Sequence, residues 1–129
     1  DLDLRMGLYR RMNEIEDRDG IEGFAAELID RFGPLPEATA NLLSVIETKL
    51  NLKVASVAKL DVGPKGALVT FHNDNFPDLP GLIAYVQRLQ GTAKLRPDSK
   101  LVITRNWPDP KSRLSGALQL SKGLAKIVA

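Results

Sequence analysis

The chain contains no cysteine, a single histidine and no apolar run long enough to span a bilayer. Without cysteine it has no disulfide, no thiolate nucleophile and no cysteine-ligated zinc site, and a reducing compartment is expected. It opens on Asp-Leu-Asp-Leu, with neither an initiator Met nor a basic-then-apolar export signal. We therefore expect a piece of a longer cytoplasmic protein with no membrane partner.

Sequence motifs that carry catalysis are also scarce. His72 ends a predicted strand and precedes Asn73-Asp74-Asn75, which favours a hydrogen-bonded loop histidine over a metal ligand or a general base. The segment Gly63-Pro64-Lys65-Gly66 lacks the spacing of a phosphate-binding loop and is typical of a turn. A metal site needs three or four converging ligands, which this composition does not supply. We therefore expect no catalytic residue, no metal and no cofactor in this chain.

The overall composition is that of an ordinary globular chain. Of its 129 residues, 43% are hydrophobic and 26% are charged, which sets aside the disordered, collagen-like and membrane classes. A chain of this length is expected to form a single domain, residues 1–129, around one core.

The charge is distributed unevenly along the chain. Residues 1–50 hold 6 Lys/Arg and 11 Asp/Glu, a net charge of −5, whereas residues 51–129 hold 12 and 5, a net charge of +7. The basic half could attract nucleic acid. Its cations are spread singly, however, which favours a solvated surface.

Three amphipathic helices are predicted in the first fifty residues, each from apolar side chains that recur every three or four positions. The first is expected to end near Asp17 to Gly20, at a polar run and a glycine. The second ends at Gly33, with Pro34 beyond it. The third begins at Pro36 and ends near Asn51. The apolar faces of the three helices are, in order, Leu4, Leu8, Met12 and Ile15; Ile21, Phe24, Ala25, Leu28, Ile29 and Phe32; and Leu42, Leu43, Ile46 and Leu50.

Two β-hairpins are predicted in the second half, where short segments are rich in β-branched residues. Residues 54–62 and 67–72 flank the Gly63 to Gly66 turn and form the first hairpin. Residues 93–96 and 100–105 form the second.

Two further helices belong to this half. One starts near Pro77 and is capped by Gly91. The other opens with Asp109 as its N-cap and Pro110 at its first position. The predicted fold class is therefore α+β: three N-terminal helices, then a small, mainly antiparallel sheet of two hairpins with two further helices.

The side of the second helix that faces away from its apolar residues is a candidate binding surface. At about 100° per residue, Gly23, Ala26, Glu27 and Asp30 share this side. Glu27 and Asp30 are carboxylates spaced i and i+3 with small residues beside them, so they could accept hydrogen bonds from arginines of a partner protein. The alternative is a solvated helix face.

Arginines near this surface have simpler expected roles. Arg31 has the i, i+4 spacing that allows an ion pair with Glu27. Arg5, Arg10 and Arg11 on the first helix could meet an acidic partner, but solvation is expected for them.

The residues around this surface resemble a known family. The stretch from Glu27 to Pro36, with Leu4-Arg5 and the segment from Leu8 to Arg11 upstream, is similar to the C-terminal domain of bacterial transcription-repair coupling factors, the Mfd family. The resemblance covers about the first fifty residues, and residues 54–129 share the order of elements. The chain departs from the family pattern after the third helix, where a Leu-Gly pair is common and this chain has Asn51-Leu52-Lys53.

The resemblance implies a regulatory domain of a large ATP-driven DNA translocase, which removes stalled RNA polymerase and recruits nucleotide excision repair. The motor, with its ATP and Mg, would lie outside this chain. The domain would dock on the UvrB-like N-terminal module of the same protein, mask the surface that binds UvrA and restrain the motor until RNA polymerase is engaged. Carried over by motif position, Glu27 and Asp30 would pair with arginines of that module.

Three functional classes follow from these observations. The first is the autoinhibitory docking domain that the resemblance implies. The second is a nucleic-acid-binding accessory domain that uses the basic half of the chain. The third is a small enzyme, which would need a converging polar pocket.

Overall fold

The structure, a computed structural model, describes residues 2–128. Within that range the chain forms five α-helices, four β-strands and one short 3-10 helix. In chain order they are α1 Leu2–Asn13, α2 Arg18–Phe32, α3 Glu37–Val54, β1 Val57–Gly63, β2 Gly66–Phe71, the 3-10 helix His72–Asp74, α4 Leu79–Arg88, β3 Ala93–Leu95, β4 Leu101–Thr104 and α5 Pro110–Val128. The predicted α+β class is confirmed.

The chain divides into two compact units, the first ending at Leu50 and the second beginning at Asn51. Each has its own cluster of buried side chains, whereas the sequence predicted one core. We call them the N-terminal unit and the C-terminal unit. The assignment of residues 1–129 to a single domain stays a prediction.

The core of the N-terminal unit is formed by residues of the first three helices. Its buried members are Met12, Ile21, Phe24, Leu28 and Leu43. All five belong to the apolar faces that helical spacing predicted, because side chains three or four positions apart lie on one side of a helix. This core fixes which side of α2 is covered and which side is exposed.

A four-stranded sheet with the order β1-β2-β4-β3 organises the C-terminal unit, and each neighbouring pair is antiparallel. The two predicted hairpins are therefore confirmed, and they meet where β2 pairs with β4. Val69 lies opposite Leu101 in this pair, and both are fully buried. The same core includes Leu82 of α4 and Leu124 of α5.

One close contact fixes the start of α5. Trp107 is buried and its backbone N–H donates to the Pro64 carbonyl over 2.8 Å. A Cβ added at Gly116 would lie 2.2 Å from two atoms of the indole ring, so only glycine leaves room for that ring. Asp109 caps the helix as predicted, since its carboxylate accepts from the Ser112 N–H over 2.7 Å.

Three predicted boundaries are wrong. The fourth helix was expected to be capped by Gly91, but α4 ends at Arg88 with Leu89 as its C-cap. The first helix ends at Asn13, and Asp17, expected at its end, is the N-cap of α2. The third helix continues to Val54, so the first strand begins only at Val57. A tertiary contact accompanies this extension: the Asn51 amide donates to the Ser121 hydroxyl over 3.2 Å.

The predicted apolar faces are too wide in places. The large side chains at their edges are exposed, among them Leu4, Ile29, Phe32 and Leu42. In α1, α2 and α3 only the residues along the middle of the apolar face are buried, so the N-terminal unit keeps exposed apolar surface.

Candidate docking surface on the second helix

The second helix has well-defined ends. At its start the Asp17 carboxylate accepts a hydrogen bond from the Gly20 N–H over 2.7 Å, which satisfies one of the unpaired donors of the first turn. At its end Gly33 has a φ of 84° and donates its N–H to the Ile29 carbonyl over 2.9 Å. A positive φ favours glycine, so the sequence-predicted stop at Gly33 is confirmed.

The outer side of α2 presents small and acidic residues. Gly23, Ala26 and Asp30 are all exposed. A Cβ added at Gly23 would have no heavy atom of residues 2–128 within 4 Å, apart from its chain neighbours and its own helix backbone. A partner could therefore approach the α2 backbone closely along this side.

Asp30 is the open acceptor of the surface. Its side chain is exposed, as the sequence predicted. Within residues 2–128 no ion pair or hydrogen bond engages its carboxylate. By helical periodicity it lies near the middle of the outer face.

Glu27 is in a different state, because it is already paired inside the N-terminal unit. The Arg11 guanidinium on α1 engages both carboxylate oxygens: Nη2 donates to Oε1 over 2.8 Å, and Nη1 donates to Oε2. The Glu27 side chain is 38% exposed and that of Arg11 is 47% exposed. Arg11 is exposed to solvent, as expected, but it is also paired with Glu27, which the sequence did not predict.

Two further contacts surround this pair. The predicted pairing of Arg31 with Glu27 is present, with 3.8 Å between Nη1 and Oε2. The Arg11 guanidinium also lies 5.0 Å from the centroid of the Phe24 ring, within the range of a cation-π contact. Glu27 therefore has two cationic neighbours.

The ion pair changes the protonation equilibria of both partners. The hydrogen bond from Arg11 holds the pKa of the Glu27 carboxyl below its ordinary value, and the charges of Arg11 and Arg31 act in the same direction. The bond to Glu27 likewise raises the pKa of Arg11. Each charged form is stabilised by the other, as in any charge-assisted hydrogen bond.

A wide, shallow depression of about 460 Å³ includes Glu27. Four carboxylate residues and one arginine line it, which makes its charge predominantly negative. The lining residues are Arg11, Glu14, Ile15, Glu16, Asp17, Gly20, Gly23, Phe24 and Glu27. Such a surface favours a cationic partner.

An apolar cavity of about 230 Å³ also belongs to the N-terminal unit. Tyr9 and Phe32 line it and are 43% and 52% exposed. Arg5 is its one charged lining residue. Its other polar side chains are the hydroxyl groups of Tyr9 and Thr39.

The C-terminal unit offers a basic surface. The Arg88 guanidinium lies 5.9 Å from the centroid of the Tyr85 ring. Burial raises the pKa of the Tyr85 phenol, while the charges of Arg105 and Arg88 act to lower it. Two cations therefore lie near one aromatic side chain.

The structure adds little chemistry beyond these surfaces. His72 lies in the 3-10 helix that follows β2. Among residues 2–128 no cluster of three or more His, Cys, Asp or Glu could hold a metal ion. None of the helices described in that range is both long and apolar enough to cross a membrane.

Comparison with known proteins decides the family. The model of the TRCF domain matches residues 1–82, well over half of the chain. This chain belongs to the TRCF domain family. The resemblance seen in the sequence is thus confirmed.

Several curated relatives of this TRCF domain are transcription-repair-coupling factors. The proteins of Rickettsia bellii, Haemophilus influenzae and Escherichia coli are 34%, 30% and 25% identical over 124, 131 and 124 residues. These matches cover 96%, 97% and 96% of this chain, and so extend well past the first fifty residues. The chain spans about a tenth of the length of these relatives, 11% in each case.

A solved structure shares the fold. The crystal structure of a C-terminal domain of transcription-repair coupling factor superposes with a TM-score of 0.75 at 22% identity. The match covers 98% of this chain and 82% of that one.

Proposed function

We propose that this TRCF domain is a non-catalytic, autoinhibitory docking domain of a transcription-repair coupling factor. It docks on the UvrB-like N-terminal module of the same protein and covers the surface that binds UvrA. In this state it also restrains the motor. Engagement of RNA polymerase releases the contact.

The observation that carries the proposal is the acidic outer face of α2. Asp30 offers a carboxylate that no group of residues 2–128 engages, and Glu27 adds a second on the same side. Gly23 and Ala26 leave the approach open. Guanidinium groups of the UvrB-like module are the fitting donors, because their planar forks match carboxylate geometry.

The modest strength of such a contact suits a domain that must be able to undock. Exposed ion pairs contribute roughly 0–1 kcal/mol each and weaken with salt. Docking within one chain benefits from a high effective concentration, so a few such pairs can hold the closed state. The same pairs are weak enough for polymerase binding to shift the equilibrium toward the open state.

The parent protein supplies everything catalytic in this proposal. It is an ATP-dependent DNA translocase whose motor binds ATP and Mg outside this chain. Its partners are UvrA, RNA polymerase and DNA, and it acts in the cytoplasm. The TRCF domain itself needs no cofactor.

The test uses the full-length protein with Glu27→Ala and Asp30→Ala together. Binding of UvrA is measured without RNA polymerase. Loss of both carboxylates releases the docked domain, so UvrA binding rises. Circular dichroism should show that the domain stays folded. The control removes two other exposed acids of the N-terminal unit, Asp19→Ala with Glu37→Ala, and leaves UvrA binding low. The proposal is contradicted if the wild-type protein and the Glu27→Ala, Asp30→Ala protein bind UvrA equally well.

A second candidate function rests on the basic C-terminal unit. Residues 51–129 carry a net charge of +7. Several of their acids already have local roles, since Asp61 pairs with Lys59, Asp98 pairs with Arg96, and Asp78 caps α4. Arg88 and Arg105 near Tyr85 could then contact phosphates and a base of nucleic acid.

A salt titration separates the two candidates. Nucleic-acid binding gives a steep fall of log K with log salt, because phosphate contacts release counterions. The docking domain by itself binds duplex DNA too weakly to give such a slope.

A further inference from the structure

The acceptor that docking would use on Glu27 is already occupied by a guanidinium. Arg11 bonds to both oxygens of that carboxylate, in the same forked geometry that an arginine of a partner would adopt. Asp30 has no such occupant within residues 2–128. The two acids of the docking surface are therefore unequal in the undocked domain.

The contacts of Glu27 leave no place for a second guanidinium in the same forked geometry. Arg11 and Arg31 both lie within ion-pair distance of this carboxylate. A forked ion pair uses both carboxylate oxygens, and Arg11 already bonds to both oxygens of Glu27. A partner arginine can form this forked pair with Glu27 only if Arg11 leaves.

We propose that Arg11 is an internal ligand of the docking surface, which competes with the arginine of the partner for Glu27. Docking then proceeds as an exchange: Asp30 takes the first arginine directly, and a second displaces Arg11. The inference rests on the proposed docking function. It adds that competition from Arg11 limits the affinity of docking.

The structure allows this exchange at low cost. Arg11 and Glu27 are each partly exposed, at 47% and 38% of their side chains, so no buried charge is created when they separate. In the paired state the guanidinium already lies 5.0 Å from the centroid of the Phe24 ring, so this contact is available to it without Glu27. Glu14 lies close enough for its charge to act on Arg11 and offers an alternative partner.

The test measures the apparent Kd for UvrA of the full-length protein without RNA polymerase. Tighter docking hides the UvrA-binding surface more often and raises this apparent Kd. Arg11→Gln removes the competitor and raises it by roughly two- to fivefold, the range that one exposed ion pair can supply. Arg11→Lys keeps the charge but loses the fork, and has a smaller effect in the same direction.

Arg10→Gln is the matched control. It removes the same charge from the neighbouring exposed position of α1. Its effect on the apparent Kd is smaller than that of Arg11→Gln. In a protein that already carries Glu27→Gln, Arg11→Gln and Arg10→Gln change the apparent Kd equally. Without the Glu27 carboxylate, Arg11 and the partner arginine no longer compete for an acceptor.

The possible outcomes separate this inference from the docking proposal itself. A lower apparent Kd in Arg11→Gln, matching that of Glu27→Gln, overturns competition and makes Arg11 a positioning residue for Glu27. An Arg11→Gln effect that persists in the Glu27→Gln protein also overturns it and assigns the effect to net charge. If Glu27→Gln and Asp30→Asn both leave the apparent Kd unchanged, the docking function fails and the inference fails with it.

Discussion

Arg11 and Glu27 are sixteen positions apart in the chain, and their side chains form a bidentate ion pair that connects α1 to α2. Arg11 also packs over Phe24, one turn before Glu27 on the same helix. The pair therefore joins the edge of the N-terminal core to the candidate docking surface. Its ionisation is the first property that can be tested.

Acid should weaken the Arg11–Glu27 pair. Since the pKa of Glu27 in the folded chain is below the ordinary value of 4.5, its stabilising effect is fully present above that value. The effect is lost as the pH falls through the folded pKa. A carboxyl-carbon NMR titration should give a midpoint below 4.5 for Glu27 in the wild-type chain and one closer to 4.5 in Arg11→Gln.

The control for this titration is Arg10→Gln, which leaves the ion pair intact. It should keep the wild-type midpoint of Glu27. A midpoint that is the same in Arg11→Gln and in the wild-type chain would show that the pair does not form in solution.

The N-cap of α2 can be tested at Asp17. Asp17→Ala removes the acceptor for the Gly20 N–H and should lower the free energy of unfolding of the N-terminal unit by about 1 kcal/mol. Hydrogen exchange at the Gly20 amide should become faster. Asp17→Ser keeps a capping oxygen and should restore most of the loss; an equal loss in both variants would rule out capping as the cause.

Gly23 tests the open approach to the docking surface. Gly23→Ala should raise the stability of α2 by roughly 0.5–1 kcal/mol, because alanine favours the helix and meets no other atoms here. Gly23→Trp should keep the fold and obstruct docking, so that UvrA binds the full-length protein without RNA polymerase. The same tryptophan at the exposed Ala38 of α3 is the control. Obstruction by both substitutions would argue against a specific role for this face.

Gly116 tests the core of the C-terminal unit. Gly116→Ala places a methyl group 2.2 Å from the Trp107 ring and should cost about 1–3 kcal/mol of unfolding free energy, measured by chemical denaturation. A Cβ at Gly63 meets no heavy atom of residues 2–128 within 4 Å beyond its chain neighbours, so Gly63→Ala should change little. Similar results for the two variants would mean that Trp107 is not held against α5.

Local signals predicted most of the fold. Gly33 and the Asp109-Pro110 pair mark helix ends through backbone rules that act within a few residues. The Gly63 to Gly66 turn did the same for the first hairpin. The extension of α3 to Val54 could not be found in this way, because it accompanies contacts such as Asn51 with Ser121, seventy positions away.

The candidate site was only half predictable for the same reason. Helical periodicity placed Asp30 on the exposed side, and the i, i+4 rule found the contact of Arg31 with Glu27. No local rule pairs Arg11 with Glu27, since that contact depends on how α1 packs beside α2. The exposure of Ile29 and Phe32 was missed because spacing shows only which side of a helix is apolar. It does not show how much of that side the neighbouring helices bury.

The affinity of this chain for the isolated UvrB-like module tests the central claim most directly. Wild-type, Asp30→Asn and the control Asp19→Asn are titrated against the module at low and high salt. The account predicts that Asp30→Asn raises the Kd by roughly two- to fivefold and weakens its salt dependence, because one exposed ion pair is lost, while Asp19→Asn binds like the wild type. An Asp30→Asn chain that binds the module as tightly as the wild type would contradict the account.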